Sequence, residues 1–527
     1  MITNPILPGF HPDPSICRVG DDYYIANSTF QWWPGVRFHH SRDLVHWEPA
    51  GYALTRTSQL DLVGNPDNTG IWAPCLSYSD GLFHLIFTDV KSYTGPYKDA
   101  HNYLVTAPSI EGPWSEPIYM NSSGFDPSLF HDDDGRKWFI NMLWDHRPGR
   151  NPFLGILLQE YDPALRKLVG PIKNIFKGTD FGLVEGPHLY KKDGYYYLLA
   201  AEGGTLWDHV ETVARATCID GPYEAMPNNP LITSRYDVTL PLQRAGHGAL
   251  VETQGGEWYF AHLTGRPVMP ERKCILGRET AIQAIRWDDD GWPRLAHGGI
   301  APTVEVVAPK LASHPFLKDA NTADHFDDFE ETELNPEFNT LRVPPDSSWL
   351  SLTERPGYLR LQGRESLYST HRQSLVARRI NRFEIAASTV VEFEPEGFQQ
   401  MAGLIFYYDT IAHHYLFISA NEEGRCIGIL TSAAKKNVAY PGVGRSIGPG
   451  PVYLKGEMRF GELQFYYGTT ENEWRPIGPM LDATVISDEY QNDGKFTGAF
   501  CGVCVQDLTG RKRSADFDWF RMEAIER

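Results

Sequence analysis

The sequence predicts an all-β chain, a five-bladed β-propeller followed by a β-sandwich. Three observations carry this. A hairpin unit recurs five times in the first 300 residues, helix signals are sparse, and unrepeated alternating strands follow a Pro/Ala/Ser/Lys-rich stretch at 302–323. Each unit opens on a tight turn, runs as a short apolar strand, reverses at an Asp/Gly hairpin and returns as an aromatic-rich strand. The openings are Asp13-Pro14-Ser15-Ile16, Ala73-Pro74-Cys75-Leu76, Asp126-Pro127-Ser128-Leu129, Glu185-Gly186-Pro187-His188 and His247-Gly248-Ala249-Leu250. They lie roughly 53 to 62 residues apart, the length of a propeller blade. The first strand of each blade lines the central channel, so equivalent positions converge on one axis.

The hairpins follow in order as Gly20-Asp21, Asp80-Gly81, Asp134-Gly135, Asp193-Gly194 and Gly255-Gly256. Gly and Asp are the residues that tight β-turns require. Outer strands close at Ser41–Pro49, Glu111-Gly112-Pro113-Trp114, Asp220-Gly221-Pro222-Tyr223 and Asp289-Asp290-Gly291-Trp292-Pro293. Asp162–Lys167 reads as one helical turn. The propeller is assigned to residues 1–305, a linker to 306–322 and the sandwich to 323–527. In the sandwich, Thr389-Val390-Val391-Glu392-Phe393 and Tyr415-Leu416-Phe417-Ile418-Ser419 read as strands, and Leu404-Ile405-Phe406-Tyr407-Tyr408 as a more continuous apolar one.

At 527 residues the chain exceeds one ordinary core. Its net charge of −19 excludes nucleic acid and anionic membrane surfaces as partners and suits a neutral ligand such as a sugar. Seven cysteines, an odd number, fit a reduced compartment. Cys501 and Cys504 lie in one strand with side chains on opposite faces, against a zinc or redox role. The N-terminus lacks a charged segment followed by an apolar run, and no stretch reaches 18 apolar residues. The expected location is the cytoplasm.

Among the repeat openings, Asp13, Asp126 and Glu185 place three carboxylates on one axis. Glycoside hydrolysis needs such a set. An acid protonates the leaving oxygen, a base activates water or attacks the anomeric carbon, and a like charge nearby raises the acid's pKa. Any one Asp-Pro pair reads equally well as a turn cap. Three at equivalent positions, with Ala73 and His247 at the other two, do not fit five interchangeable caps.

These motifs resemble glycoside hydrolase family 43, and in particular its two-domain β-xylosidases. The resemblance rests on Asn4-Pro5-Ile6-Leu7-Pro8-Gly9-Phe10-His11-Pro12-Asp13-Pro14-Ser15, Gly70-Ile71-Trp72-Ala73-Pro74, Phe125-Asp126-Pro127-Ser128, Val184-Glu185-Gly186-Pro187-His188 and Gly277-Arg278-Glu279-Thr280. In the second region it rests on Phe496-Thr497-Gly498-Ala499-Phe500 and Asp516-Phe517-Asp518-Trp519-Phe520. It implies Asp13 as general base, Glu185 as general acid and Asp126 as the residue that tunes the acid and helps hold substrate. It implies inversion in one displacement, which needs carboxylates roughly 6.5–9.5 Å apart to admit water. Arg278 resembles the arginine that bonds sugar hydroxyls; its alternative is an ion pair with Glu279. Phe30, Trp72 and Phe125, beside the motifs, are candidate sugar-stacking walls, and Trp33 and Trp207 are further candidates. His247 should face the axis, either as a hydrogen-bonding floor or near a structural calcium, although calcium prefers oxygen ligands. No cofactor is required by this chemistry. The resemblance further implies that a sandwich loop narrows the site, with Phe500 expected to reach it, and that the chain forms a homo-oligomer, dimer or tetramer.

The expected activity is exo-β-1,4-xylosidase on xylo-oligosaccharides with side activity on α-L-arabinofuranosides. A dedicated α-L-arabinofuranosidase is the alternative, and an endo-arabinanase would need an open groove. A retaining fructoside-active propeller would carry Arg-Asp-Pro where this chain has Phe125-Asp126-Pro127. A non-catalytic sugar-binding propeller would not need three axial carboxylates.

Overall fold

The computed structural model describes residues 1–316, 324–433, 436–439, 444–471, 473–490 and 495–525. Of the expected linker, residues 317–322 lie outside the described residues. Residues 1–306 form five antiparallel sheets, each in chain order from axis to rim. Their innermost strands are Ser15–Val19, Gly70–Ser79, Ser128–His131, Glu185–Lys192 and Gln243–Glu252. The ring is fastened at its chain ends. Ile2–Thr3 pairs with Glu305–Val306, and Leu7 bridges Thr280. The Asn4 amide donates to the carbonyls of Ile282 and Thr303 at 2.8 and 3.0 Å. A cluster of Ile16, Trp47, Ala261 and Ile282 then packs the first blade against the last.

One local expectation is corrected. Asp162–Lys167 is the turn joining Phe153–Asp162 to Lys167–Phe176, not a helical turn. Asp162 Oδ1 accepts from the amides of Ala164 and Leu165 at 2.8 and 2.9 Å, so the acid closes a hairpin. Among the described residues the only helical element is a 3₁₀ turn, Ala483–Ile486, capped by Asp482. No helix among them is long and apolar enough to cross a membrane.

The second domain is two stacked antiparallel sheets. One carries Glu384–Glu392 and Ser514–Ala524 near its centre, and the other carries Gln400–Asp409 and Phe500–Asp507. The second sheet is covered on both faces, which explains its continuous apolar runs. Leu404 and Phe406 point into the inter-sheet core, while Ile405 and Tyr407 point into a cluster shared with the propeller. Cys501 and Cys504 divide the same way. The propeller even donates an edge strand, because Trp32–Trp33 pairs with Asn339–Leu341. Phe10, Phe30, Trp32, Tyr415 and Phe500 fill the shared cluster. Two buried arginines reach half-buried acids across the same boundary, Arg37 at 2.5 Å from Glu337 and Arg342 at 2.6 Å from Asp67.

Candidate active site

The blade openings share a backbone conformation. Asp13, Ala73, Asp126, Gly186 and His247 have φ of +50°, +39°, +54°, +57° and +37°. Left-handed backbone at a non-glycine residue costs of order 1–3 kcal/mol, and such strain gathers at functional sites. This series corrects the repeat register. The blade-four equivalent of Asp13 and Asp126 is Gly186, and Glu185 stands one position earlier, level with Trp72 and Phe125. The cavity is therefore lined from either of two consecutive positions: Asp13, Asp126 and His247 from the left-handed one, and Trp72, Phe125 and Glu185 from the one before it. Pairing slips there in blades two, four and five, between Trp72 and Cys75, Glu185 and His188, and Gly246 and Gly248, so the extra residue is accommodated as a bulge. Gly186 is required twice over. Its φ is positive, and a Cβ there would lie 2.8 Å from His247 Cδ2.

The openings meet in a cavity of about 610 Å³, lined by Asp13, Asp126, Glu185, Arg278 and His247 among others. Asp13 is only 5% exposed. It accepts from Ser28 Oγ at 2.7 Å and from both Arg278 nitrogens at 2.9 and 3.3 Å. Arg278 also donates to Thr205 Oγ1 at 3.0 Å and to the Phe496 carbonyl at 3.1 Å. Glu279, the alternative partner of Arg278, is instead held by Arg266 at 2.7 and 2.8 Å. Asp126 Oδ2 accepts from the Gly186 amide at 3.1 Å.

Two of the carboxyls are raised by burial and like charge. Burial, then the charge of Asp13, pushes Asp126 up to about 8, against the Gly186 amide and Arg278. Burial, then Asp126 and Asp13, raises Glu185 well above the usual carboxylate range, against Arg278 and Lys98. Burial and like charge thus favour the protonated form of Glu185, while Asp13 is clamped by a guanidinium fork. His247 Nδ1 lies 3.6 Å from Asp13 Oδ1. Burial, aided by Arg278, holds its imidazole below its ordinary range despite Asp13.

The walls are aromatic. Phe30, Trp72 and Phe125 line the cavity, as does Trp207. Trp72 packs edge-on against Phe125 and Phe496 at 5.6 and 5.7 Å. Two expectations are corrected. Trp33 lies in the core between blades one and two, with Val36, Leu54 and Leu60, away from the cavity. Phe500 does not reach the cavity either. It begins a sandwich strand, is fully buried, and stacks on Trp32 at 3.7 Å. The sandwich residue in the wall is Phe496, four positions earlier in the same motif. Sequence reasoning also missed Tyr93, Lys98, Trp144 and Phe153. Tyr93 and Lys98 sit on the connection between Leu82–Ser92 and Asp99–Ala107, and Trp144 and Phe153 pair at the ends of Lys137–Trp144 and Phe153–Asp162, where no repeat signal marks them. Lys98 Nζ lies 4.2 Å from the Trp144 ring centre.

The donor set near His247 does not fit calcium, which takes 6–8 oxygen ligands. Among the described residues no group of three or more His, Cys, Asp or Glu side chains is spaced to hold a metal, and Asp13 is already committed to Arg278 and Ser28.

A buried, raised carboxyl, a carboxylate clamped by arginine and a third carboxyl between aromatic walls on a propeller axis define a glycoside hydrolase. The chain belongs to glycosyl hydrolase family 43. The profile described as "Glycosyl hydrolases family 43" matches residues 2–293, and "Beta xylosidase C-terminal Concanavalin A-like domain" matches residues 326–523. Its fold is similar to a xylan β-1,4-xylosidase of Bacillus halodurans, with TM-score 0.97 and 58% identity over 99% of this chain and 100% of that one. It is 52% identical to a xylosidase/arabinosidase of Humicola insolens, over 100% of this chain and 98% of that protein. It is 48% identical to a xylan 1,3-β-xylosidase of a Vibrio species, over 98% of each.

Proposed function

We propose that the protein is an inverting exo-β-1,4-xylosidase that removes xylose from the non-reducing ends of xylo-oligosaccharides and also accepts α-L-arabinofuranosides. In this reading Asp13 takes a proton from water as the water attacks the anomeric carbon. Glu185 gives its proton to the departing oxygen in the same step. Burial, more than charge, keeps Glu185 ready to donate; Asp126, in the same cavity, tunes it and holds the sugar, and Arg278 aligns Asp13. The observation that carries the reading is the contrast between the surroundings of Glu185 and Asp13: Glu185 is raised by burial and like charge, while Asp13 is paired with Arg278. Phe496, brought by the second domain, supports exo action because it adds a wall on one side of the cavity. Similarity to a xylosidase/arabinosidase supports the second substrate.

No step passes through a metal, so activity should survive a chelator. Seven free cysteines, six of them buried, support a reducing compartment such as the cytoplasm. The dimer or tetramer implied by the family resemblance belongs to the same reading and is checked by light scattering. The substrate claim is tested with xylotriose labelled at its reducing end. Label should remain in xylobiose early in the reaction; early labelled xylose would overturn non-reducing-end action. A parallel digest of β-1,3-xylobiose separates linkage preferences, with slower cleavage expected than for the β-1,4 dimer.

A further inference from the structure

A buried charge cluster at the domain boundary reaches the catalytic centre through one peptide plane. Arg244 and Asp488 are both fully shielded, with NH1 2.8 Å from Oδ2. Arg244 also meets Glu489, whose other oxygen accepts from the Cys274 amide at 2.7 Å. Ion pairs at such depth contribute little net stability, because desolvation offsets their attraction. Their contacts give this one a use. On one side Arg244 and Arg272 lie 4.7 and 3.9 Å from the ring centre of Trp207, a cavity wall. On the other side Asp488 Oδ1 accepts from Tyr408 Oη at 2.7 Å, and that hydroxyl accepts from the Thr497 amide at 3.1 Å.

The Thr497 N–H and the Phe496 C=O belong to the same rigid, planar unit. Fixing the N–H therefore fixes the direction of the carbonyl. That carbonyl receives Arg278 Nε, and Arg278 clamps Asp13. The next peptide, Thr497–Gly498, is pressed from the propeller side: Gly277 approaches it so closely that a Cβ would lie 1.9 Å from the Thr497 oxygen. Asn68 Oδ1 accepts from the Phe496 amide at 2.9 Å, holding the residue's other end.

We propose that Tyr408 and Asp488 are positioning residues: through the Phe496–Thr497 peptide they set the orientation of Arg278 and hence of Asp13. The sandwich then does more than narrow the cavity; it holds the base in register. The proposal rests on the reading of Asp13 as the base.

The test is Tyr408→Phe, which removes one hydroxyl and leaves the ring that packs the core. Turnover of nitrophenyl β-xyloside, measured well below the melting temperature, should fall by at least about tenfold. The loss should be similar for good and poor leaving groups, unlike the loss from removing an acid. In an Arg278→Met background the same change should cost less than about twofold, because the two act on one path. Wild-type turnover in Tyr408→Phe, or an equal loss in both backgrounds, would overturn the proposal. A wild-type protein inactive on xylosides would overturn the functional reading first; an active one with an indifferent Tyr408 overturns this proposal alone.

Discussion

At the scale of single residues, the proposed chemistry depends on two carboxyls in unlike surroundings, Glu185 as acid and Asp13 as base. Glu185 must be protonated to act, so turnover should fall as pH rises through its elevated pKa. Glu185→Ala should lower turnover of xylobiose by roughly 10²–10⁴-fold, and much less for aryl xylosides with acidic leaving groups. Equal losses on both, measured by initial rates, would contradict the acid role. Asp126 makes a claim on stability. Its native pKa is about 8, above the unfolded value near 3.9. The native state therefore holds a proton that the unfolded chain releases. The associated stability is full below about pH 4 and is lost as pH rises through 8. Asp126→Asn cannot titrate, so its melting temperature should gain on wild type as pH goes from 4 to 8, measured by calorimetry. A gap that stays constant would contradict the burial of this charge. Asp13, Asp126 and Arg278 were legible in the sequence because each sits in a motif whose spacing repeats or whose neighbours are distinctive. Lys98, Trp144 and Phe153 were not: Lys98 lies on a connection and the other two at strand ends, and neither place repeats from blade to blade.

At the scale of elements, the blade openings were readable as turns followed by strands, but their register was not. Glu185 was aligned with Asp13 by residue type, whereas the left-handed position falls on Gly186. Alternation along a strand cannot reveal a bulge, since the extra residue leaves no mark in composition. The choice of Phe500 failed for a related reason. Both aromatics of Phe496-Thr497-Gly498-Ala499-Phe500 lie near the propeller, but Phe500 has entered strand pairing and packs under Trp32. Phe496 precedes the strand, and its ring is free to line the cavity. Phe496→Ala should therefore weaken stacking on the sugar by roughly 0.5–1.5 kcal/mol, a severalfold rise in KM. It leaves the Phe496 carbonyl in place, so kcat should change less than in Tyr408→Phe. A lowered kcat with unchanged KM would contradict the wall role.

At the scale of the molecule, the two domains form one functional body. The sequence showed where the propeller repeats stop, but not that a propeller strand enters a sandwich sheet or that this sheet is buried on both faces. Such contacts are set by residues more than 300 positions apart, as in the hydrogen bond from the Asn339 amide to the Trp33 carbonyl. A chain ending near residue 316 would expose Phe10, Phe30 and Trp32, each contributing about 1.5–3 kcal/mol when fully buried. It would also lose Phe496. Such a truncation should have no measurable activity on xylobiose; full activity in a soluble truncated propeller would contradict the shared site.

The central claim, single-displacement cleavage of a β-xyloside by Asp13 and Glu185, is tested most directly by proton NMR of the anomeric region during digestion of xylobiose. The account predicts that α-xylose appears first and mutarotates later to the equilibrium mixture. Early β-xylose would contradict it, because retention requires Asp13 to attack the sugar itself rather than activate water.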